Sequence, residues 1–257
     1  EILDSVRHMI FTGNPGVGKT RLTMWLKEHL EERGAARGHI GVFTRGPGTG
    51  MSGAQEVVES LLRTRGLAMH KAVPAGEGAM AALLGLDFAA AQEVATEAAA
   101  DDVCAAANDN DPAQVVVSGH RAAVERAVEI AKARGAKRAV ILPVSAPFHC
   151  ALMEPAAREM DHALKEVTIN APAVPVVSNV EAAPVNDPDQ IRGLLVQQIT
   201  GRVRWRESVA AMAAAGVTEI WEIGAGKALS GMVRRIDRSI ACTAVGTPED
   251  VQSVTAG

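Results

Sequence analysis

The feature that most constrains the fold of this chain is a β-α-β-β-α-β order of predicted elements between residues 79 and 144. Residues 79–86 predict a strand and residues 88–99 a helix, from the spacing of their apolar side chains. The turn-rich run at 108–112 separates the next two strands. The remaining predicted elements are strands 103–107 and 114–118, helix 121–134 and strand 139–144. This order is the ferredoxin-like arrangement, in which two helices cover one face of a four-stranded antiparallel sheet.

Single helices and strands alternate after this unit, which is typical of an α/β layer with a mainly parallel sheet. The predicted helices are 151–166, 187–199, 206–215 and 228–237, and the predicted strands are 174–178, 218–223 and 239–245. A helix over 54–66 precedes the unit. We therefore expect a ferredoxin-like (βαββαβ) subdomain at 74–144, inserted into an α/β core formed by residues 51–73 and 145–257.

The first 50 residues predict a separate segment with the order β–P-loop–α–β. A strand at 8–12 leads into Gly13-Asn-Pro-Gly-Val-Gly-Lys19-Thr20, which matches the phosphate-binding pattern G-x-x-x-x-G-K-[ST] in full. Glycine backbone N–H groups would bind phosphate oxygens, the lysine would reach the β- and γ-phosphates, and the threonine would hold Mg²⁺. The nucleotide-binding candidates are Gly13, Gly16, Gly18, Lys19 and Thr20.

A helix at 20–33 and a strand at 40–44 are predicted to follow, and residues 7–44 resemble the opening of small P-loop nucleoside-triphosphatases. No later apolar strand ends in the acidic residue that metal-assisted hydrolysis would need. The motif therefore indicates binding of ATP or GTP with Mg²⁺ rather than hydrolysis. A second Gly-rich turn, Gly224–Lys227, lacks this spacing and indicates a tight strand–helix turn.

Composition excludes several classes of function. The formal net charge is −4 without a basic block, and aromatic residues are 3% of the chain with no tyrosine, so no nucleic-acid surface is expected. Three cysteines without C-x-x-C spacing predict neither a disulfide framework nor a metal site. No apolar stretch reaches bilayer-spanning length and no signal peptide is recognisable. We expect a soluble, cytoplasmic protein that does not bind membranes.

Five ordered motifs distinguish the part of the chain after residue 51. They are Arg65–Met69, Val73–Ala82, Ser145–Met153, Pro175–Val180 and Gly224–Lys227. Together they resemble the matching stretches of bacterial malonyl-CoA:acyl-carrier-protein transacylases, over residues of about 51 to 249. The resemblance implies an α/β fold with an α/β-hydrolase-like acyltransferase core, here incomplete, and an inserted ferredoxin-like subdomain.

The resemblance implies two catalytic residues. His149 matches the histidine that deprotonates a serine nucleophile and later activates the carrier-protein thiol, a role that suits imidazole because its pKa lies near neutral pH. A lone histidine is more often structural, but the run Ser145-Ala-Pro-Phe-His149-Cys favours the catalytic interpretation. Gln198 matches the residue whose backbone carbonyl orients that histidine; the alternative is a helix-surface glutamine.

The resemblance also implies a substrate site. Arg65 matches the arginine that binds the malonyl carboxylate, for which a planar guanidinium is suited because it donates two parallel hydrogen bonds. Phe148 resembles the bulky ring that leaves little room for an α-methyl branch. The other substrate-binding candidates are Met69, Asn108 and Asn110, with the two asparagines on a turn that faces the cleft.

The nucleophile of this family is the part that the sequence lacks in recognisable form. Its G-H-S-x-G elbow and an N-terminal G-Q-G-S-Q motif are both missing. Gly38-His39-Ile40-Gly41 falls at the expected offset before Arg65, and an isoleucine at the serine position has no nucleophilic atom.

The leading interpretation is transfer of malonyl from malonyl-CoA to acyl carrier protein in fatty acid biosynthesis, impaired unless a serine arrives from a partner chain or from sequence upstream. This reaction needs no cofactor, and its partners would be acyl carrier protein and the coenzyme A thioester. Two alternatives stay open: a P-loop nucleotide-binding protein, and a non-catalytic remnant that binds carrier protein or coenzyme A.

Overall fold

The computed structural model describes residues 9–11, 52–224 and 226–255, which divide into two compact units. The larger unit comprises residues 60–171 and 175–208, and the smaller one the other described residues. In chain order the elements are β1 (Met9–Phe11), α1 (Ser52–Lys71), β2 (Gly78–Leu84), α2 (Phe88–Ala99), β3 (Cys104–Asp111), β4 (Gln114–His120), α3 (Arg121–Ala133), β5 (Arg138–Ile141), a 3-10 turn (Ala151–Met153), α4 (Glu154–Lys165), β6 (Val176–Ser178), β7 (Ala183–Val185), α5 (Pro188–Thr200), α6 (Trp205–Ala214), β8 (Glu219–Ile223), α7 (Ala228–Ile236), β9 (Ala241–Val245) and α8 (Pro248–Thr255).

The larger unit contains a four-stranded antiparallel sheet with the order β3-β4-β2-β5. Helices α2 and α3 pack on it, so the predicted β-α-β-β-α-β order and antiparallel pairing are present. Helix α2 begins after Asp87, whose carboxylate accepts a hydrogen bond from the N–H of Ala90 at 2.8 Å. Gly135, with φ of 89°, follows the end of α3, since a left-handed residue closes a helix at little steric cost.

Both faces of this sheet are buried. Alternate residues of β2, namely Ala79, Ala81 and Leu83, join the cluster formed with helices α2 and α3. The residues between them, Met80 and Ala82, belong to a second apolar cluster on the opposite face. Because side chains alternate across a strand, a run of consecutive apolar residues is what a strand covered on both sides requires.

The rest of the larger unit packs around a third apolar cluster. Met69 of α1 lies in it with Met160 of α4 and Ile199 of α5. Pro155 stands in the first turn of α4, where the absence of an N–H has little cost. The short strands β6 and β7 form an antiparallel pair.

The smaller unit contains a parallel sheet with the order β1-β8-β9. The predicted strand at 8–12 is present as β1, while the predicted P-loop, the helix at 20–33 and the strand at 40–44 lie outside the described residues. Among the helices that the structure describes, none is long and apolar enough to cross a membrane.

Several predicted bounds were wrong. Strand β3 continues to Asp111, although residues 108–112 were predicted as a turn. Helix α1 is longer than the predicted 54–66, and the strand predicted to run to Val144 ends at Ile141. Strand β7 and helix α8 were missed.

Candidate active site

His149 lies on the segment between β5 and the 3-10 turn, with its backbone in the left-handed region at φ of 59°. Such a conformation is uncommon for a residue with a side chain. Its Nδ1 atom is 2.9 Å from the backbone carbonyl oxygen of Gln198. Because a carbonyl oxygen only accepts hydrogen bonds, Nδ1 carries the ring proton of the neutral imidazole. Nε2 is therefore the nitrogen that can take a proton from a ligand.

The end of helix α5 supplies this carbonyl. Gln198 is in the last turn, where carbonyl groups lack the usual donor four residues further along the chain. The N–H of Gly201 donates to the carbonyl of Gln197 at 2.7 Å, which closes the helix. The carbonyl of Gln198 accepts instead from the imidazole of His149, so the structure brings the two predicted catalytic residues together.

The surroundings of His149 favour the neutral ring. Burial lowers the pKa of His149, and the positive charge of Arg65 lowers it further. Backbone contacts with Gln198 and Gly201 act in the opposite direction but are outweighed. A neutral imidazole is the form that acts as a general base.

Arg65 and Met69 are one turn apart on α1 and so lie on the same face of the helix. Arg65 is half-buried, and burial lowers the pKa of its guanidinium. Within the described part of the chain, no carboxylate forms an ion pair with it. A half-buried guanidinium that no described carboxylate pairs with, and that is close enough to influence His149, is suited to bind a ligand carboxylate. Met69 is buried in the third apolar cluster.

Phe148 connects the His149 segment to the sheet. Its half-buried ring packs against the cluster that holds Met69 and also against the cluster that holds Ala107 and Val116. The ring therefore lies between the third apolar cluster and the sheet face opposite helices α2 and α3.

Asn108 and Asn110 were predicted on a turn, and the structure corrects this by placing both in strand β3. The pairing of β3 with β4 shifts register between Ala106 and Asn108 and again between Asp109 and Asp111. These irregularities let a polar run continue the strand, because a bulge redirects side chains without ending the ladder. The Oδ1 atom of Asn108 is buried and has no hydrogen-bond partner among the described residues.

Sequence reasoning missed the residue between these asparagines. Asp109 is fully buried, and its two carboxylate oxygens accept hydrogen bonds from Arg206 at 3.0 and 2.8 Å. The two residues are 97 positions apart, so no local pattern indicates the pair.

The Gly-rich turn at 224–227 joins β8 to α7. Its following helix is capped from within the chain, because the buried carboxylate of Glu222 accepts from the N–H groups of Leu229 at 3.1 Å and Ser230 at 2.7 Å. The capping by Glu222 agrees with the prediction of a tight strand–helix turn at Gly224–Lys227 rather than a phosphate-binding loop. Ile40 lies outside the described residues. So do the nucleotide-binding candidates, which are Gly13, Gly16, Gly18, Lys19 and Thr20.

Comparison with known proteins identifies relatives of this chain. Residues 48–238 match the family described as acyl transferase domain. The malonyl CoA-acyl carrier protein transacylase of Escherichia coli (strain K12) is 48% identical over 188 residues, which are 73% of this chain and 61% of the relative. This chain thus spans about three fifths of the length of the first curated relatives that it matches.

Solved structures agree with this. The acyl-carrier-protein-S-malonyltransferase of Bartonella henselae has a TM-score of 0.75 at 51% identity, covering 78% of this chain and 64% of that one. A malonyl-transacylase solved in complex with a type II PKS acyl-carrier protein has a TM-score of 0.80 at 33% identity, covering 93% of this chain and 79% of that one. The described elements therefore form an α/β acyltransferase fold.

Proposed function

Since the chain belongs to the acyl transferase domain family, we propose that it transfers malonyl from malonyl-CoA to the phosphopantetheine thiol of acyl carrier protein. The observation that carries the proposal is the 2.9 Å contact between Nδ1 of His149 and the carbonyl of Gln198. It leaves Nε2 as the base, and the charge of Arg65 acts on the same imidazole. The complex of a related malonyl-transacylase with an acyl-carrier protein supports the choice of partner.

In the proposed first step, Nε2 of His149 takes the proton of an attacking hydroxyl group as its oxygen bonds to the malonyl carbonyl carbon. The C–S bond then breaks, and the coenzyme A thiolate leaves with the proton from the imidazolium. In the second step Nε2 takes the proton of the carrier-protein thiol, whose sulfur displaces the hydroxyl oxygen, and the imidazolium returns a proton to that oxygen. The carbonyl of Gln198 stabilises the imidazolium in both steps, because Nδ1 keeps donating to it.

Arg65 is the proposed site for the malonyl carboxylate. Its half-buried guanidinium can donate two parallel hydrogen bonds to the two carboxylate oxygens. Substrates without that carboxylate, such as acetyl-CoA, would leave the cation without its partner and should react more slowly. Met69, Phe148, Asn108 and Asn110 are proposed to line the rest of the substrate site.

The hydroxyl group is what this sequence does not supply in recognisable form. Ile40 stands at the offset where the family's serine is expected, and its side chain cannot attack a carbonyl carbon. The proposal therefore predicts weak transfer by this chain alone, and an increase for Ile40→Ser if that position is the elbow.

The experiment measures transfer of radiolabelled malonyl to acyl carrier protein. His149→Asn removes the base but keeps a residue type that tolerates a left-handed backbone, and we expect it to abolish transfer by the wild-type chain and by Ile40→Ser. His162→Asn, the same change at an exposed histidine of α4, is the matched control and should retain full activity. Transfer that survives His149→Asn contradicts the proposal, and carrier-protein binding without transfer supports the non-catalytic alternative.

We also propose that the β2–β5 unit is the ferredoxin-like subdomain of this family. Its support is the β-α-β-β-α-β element order together with the strand order β3-β4-β2-β5. The corresponding division of the chain is 1–50, then 51–73 with 145–257 as the core, and 74–144 as the inserted subdomain.

Nucleotide binding at residues 13–20 is proposed on the motif alone, as an additional property of the N-terminal segment. The full match to G-x-x-x-x-G-K-[ST] supports it. Titration with ATP or GTP and Mg²⁺ should show binding that Lys19→Ala removes, and equal titration curves for the two proteins would exclude it.

A further inference from the structure

Arg206 and Asp109 form an ion pair that the proposed chemistry does not use. Asp109 is fully buried, and Arg206 donates from Nε to Oδ1 at 3.0 Å and from Nη2 to Oδ2 at 2.8 Å. This two-bond geometry fixes orientation as well as distance, which a lysine in the same place could not do. The Arg206 side chain is 36% exposed, so the pair is only partly buried, and such a pair is weak evidence for a gain in stability. Its two-bond geometry instead favours a role in holding the two segments in a fixed orientation.

The pair joins strand β3 to the segment after α5. Next to it, the N–H of Asp109 donates to the carbonyl of Val203 at 2.9 Å, and the N–H of Val203 donates to the carbonyl of Ala107 at 2.8 Å. These two bonds enclose Asn108, which pairs with Val203 as an isolated parallel bridge. Asn108 is thereby held on both sides at a bulge, with its Oδ1 atom buried and free of any partner among the described residues.

The segment from 198 to 206, which runs from the last turn of α5 into α6, begins at the residue that orients His149. Gln198 provides the carbonyl for Nδ1, and only five positions separate it from Val203. The segment from 198 to 206 therefore touches the base at one end and strand β3 at the other. Phe148, the neighbour of His149, packs against the cluster that contains Ala107 of β3. The His149 segment and strand β3 are therefore also connected through side-chain packing.

Other arginines of the segment do not share this role. Arg202 and Arg204 both pair with Glu207, and Arg202 also stacks over the ring of Phe88 at 4.2 Å from its centroid. Arg206 is the member of the group with two hydrogen bonds to Asp109.

We propose that Arg206 is a positioning residue which, through Asp109, holds Asn108 and the segment after Gln198 in one rigid frame around the candidate site. The consequence for reaction, a worse fit of malonyl-CoA when the frame loosens, rests on the proposed function. The structural role of Arg206 does not rest on the proposed function. An experiment on the structure can therefore fail or succeed independently of an experiment on malonyl transfer.

The first measurement is amide hydrogen exchange on the full chain, which needs no activity. In Arg206→Gln we expect the amides of Asp109 and Val203 to exchange at least about tenfold faster, because local opening no longer has to break the ion pair. The amide of Val128, within helix α3 on the opposite face of the sheet, serves as the internal reference and should keep its rate. Equal exchange at Asp109 and Val203 in the two proteins overturns the proposal, whether or not the wild-type chain transfers malonyl.

The second measurement separates positioning from folding by kinetics. A purely structural defect lowers the concentration of folded protein, which reduces apparent kcat and leaves KM unchanged. Loss of positioning raises KM for malonyl-CoA, and we expect about tenfold for Arg206→Gln and less than twofold for the matched control Arg202→Gln.

Arg206→Lys keeps the positive charge, and it is measured as well so that the test does not depend on the folding of Arg206→Gln. Because lysine cannot make both hydrogen bonds in the same plane, its KM should lie between those of the wild-type chain and Arg206→Gln. A lower kcat at unchanged KM in both Arg206 variants overturns the positioning role. A wild-type chain without any malonyl transfer counts against the proposed function only, and the exchange measurement then decides on the frame.

Discussion

Gly78, the first residue of β2, lies directly against Pro147 on the segment that carries His149. A Cβ atom added there would overlap Cδ and Cγ of Pro147 and stand 3.0 Å from its Cβ. Because the proline ring is rigid, relief requires the backbone two residues before His149 to move by about 1 Å, and a displacement of that size at a catalytic group costs about 100-fold in rate. We therefore expect Gly78→Ala to lower kcat for malonyl transfer by about 10- to 100-fold, while the overpacking lowers the free energy of unfolding by about 1–3 kcal/mol.

The assay compares malonyl transfer and urea unfolding for Gly78→Ala and Gly66→Ala. Gly66 lies within α1, and an added Cβ there meets nothing within 4 Å. The control should therefore keep its activity and gain up to about 1 kcal/mol in stability, because alanine favours a helix over glycine. Wild-type kcat and unchanged stability for Gly78→Ala would refute the inferred contact between this glycine and Pro147.

Three further predictions concern charge. The kcat/KM for malonyl-CoA should rise with pH through an apparent pKa below that of an exposed histidine, because burial favours the neutral form of His149; a profile centred above that range would be inconsistent with the buried base. Arg65→Gln should shift this profile to higher pH, since it removes the nearby positive charge that lowers the pKa of His149. The same variant should raise KM for malonyl-CoA by about tenfold, because the carboxylate loses its proposed partner. An unchanged pH profile would place Arg65 away from the base. Glu222→Gln should lower the free energy of unfolding by about 1–3 kcal/mol in urea titration, because the buried carboxylate accepts three hydrogen bonds, from Leu229 and twice from Ser230; an unaltered midpoint would show that the cap contributes little.

The elements that the sequence predicted well are those with local signals at both ends. Helix α2 has its predicted bounds because Asp87 caps its first turn and the apolar spacing continues to Ala98. The missed helix α8 also carried such a signal. Thr247 accepts from the N–H of Asp250 at 3.2 Å, and Asp250 accepts from that of Thr247 at 2.9 Å, which is a reciprocal cap readable from Thr-x-x-Asp.

What the sequence could not predict depends on distant partners. The run from Asn108 to Asp111 has the composition of a turn, but the fold turns it into a strand because Arg206 and Val203 supply partners for its polar groups. A buried aspartate is stable only when such partners exist, and local propensity contains no information about a residue 97 positions away. The family resemblance pointed to His149, Gln198 and Arg65, whereas the ion pair beside Asn108 became visible only in three dimensions.

Residues of the larger unit hold the imidazole of His149 in its orientation. Nδ1 is held by the carbonyl of Gln198, and its packing neighbour Phe148 is held by the clusters that contain Met69 and Ala107. All of these residues lie within the larger unit, at positions between 60 and 208. In the serine-histidine arrangement the base needs a partner at its second nitrogen to keep one tautomer, and here a backbone carbonyl meets that need. The proposed base is therefore held by residues of the larger unit, and Ile40→Ser leaves each of these residues unchanged.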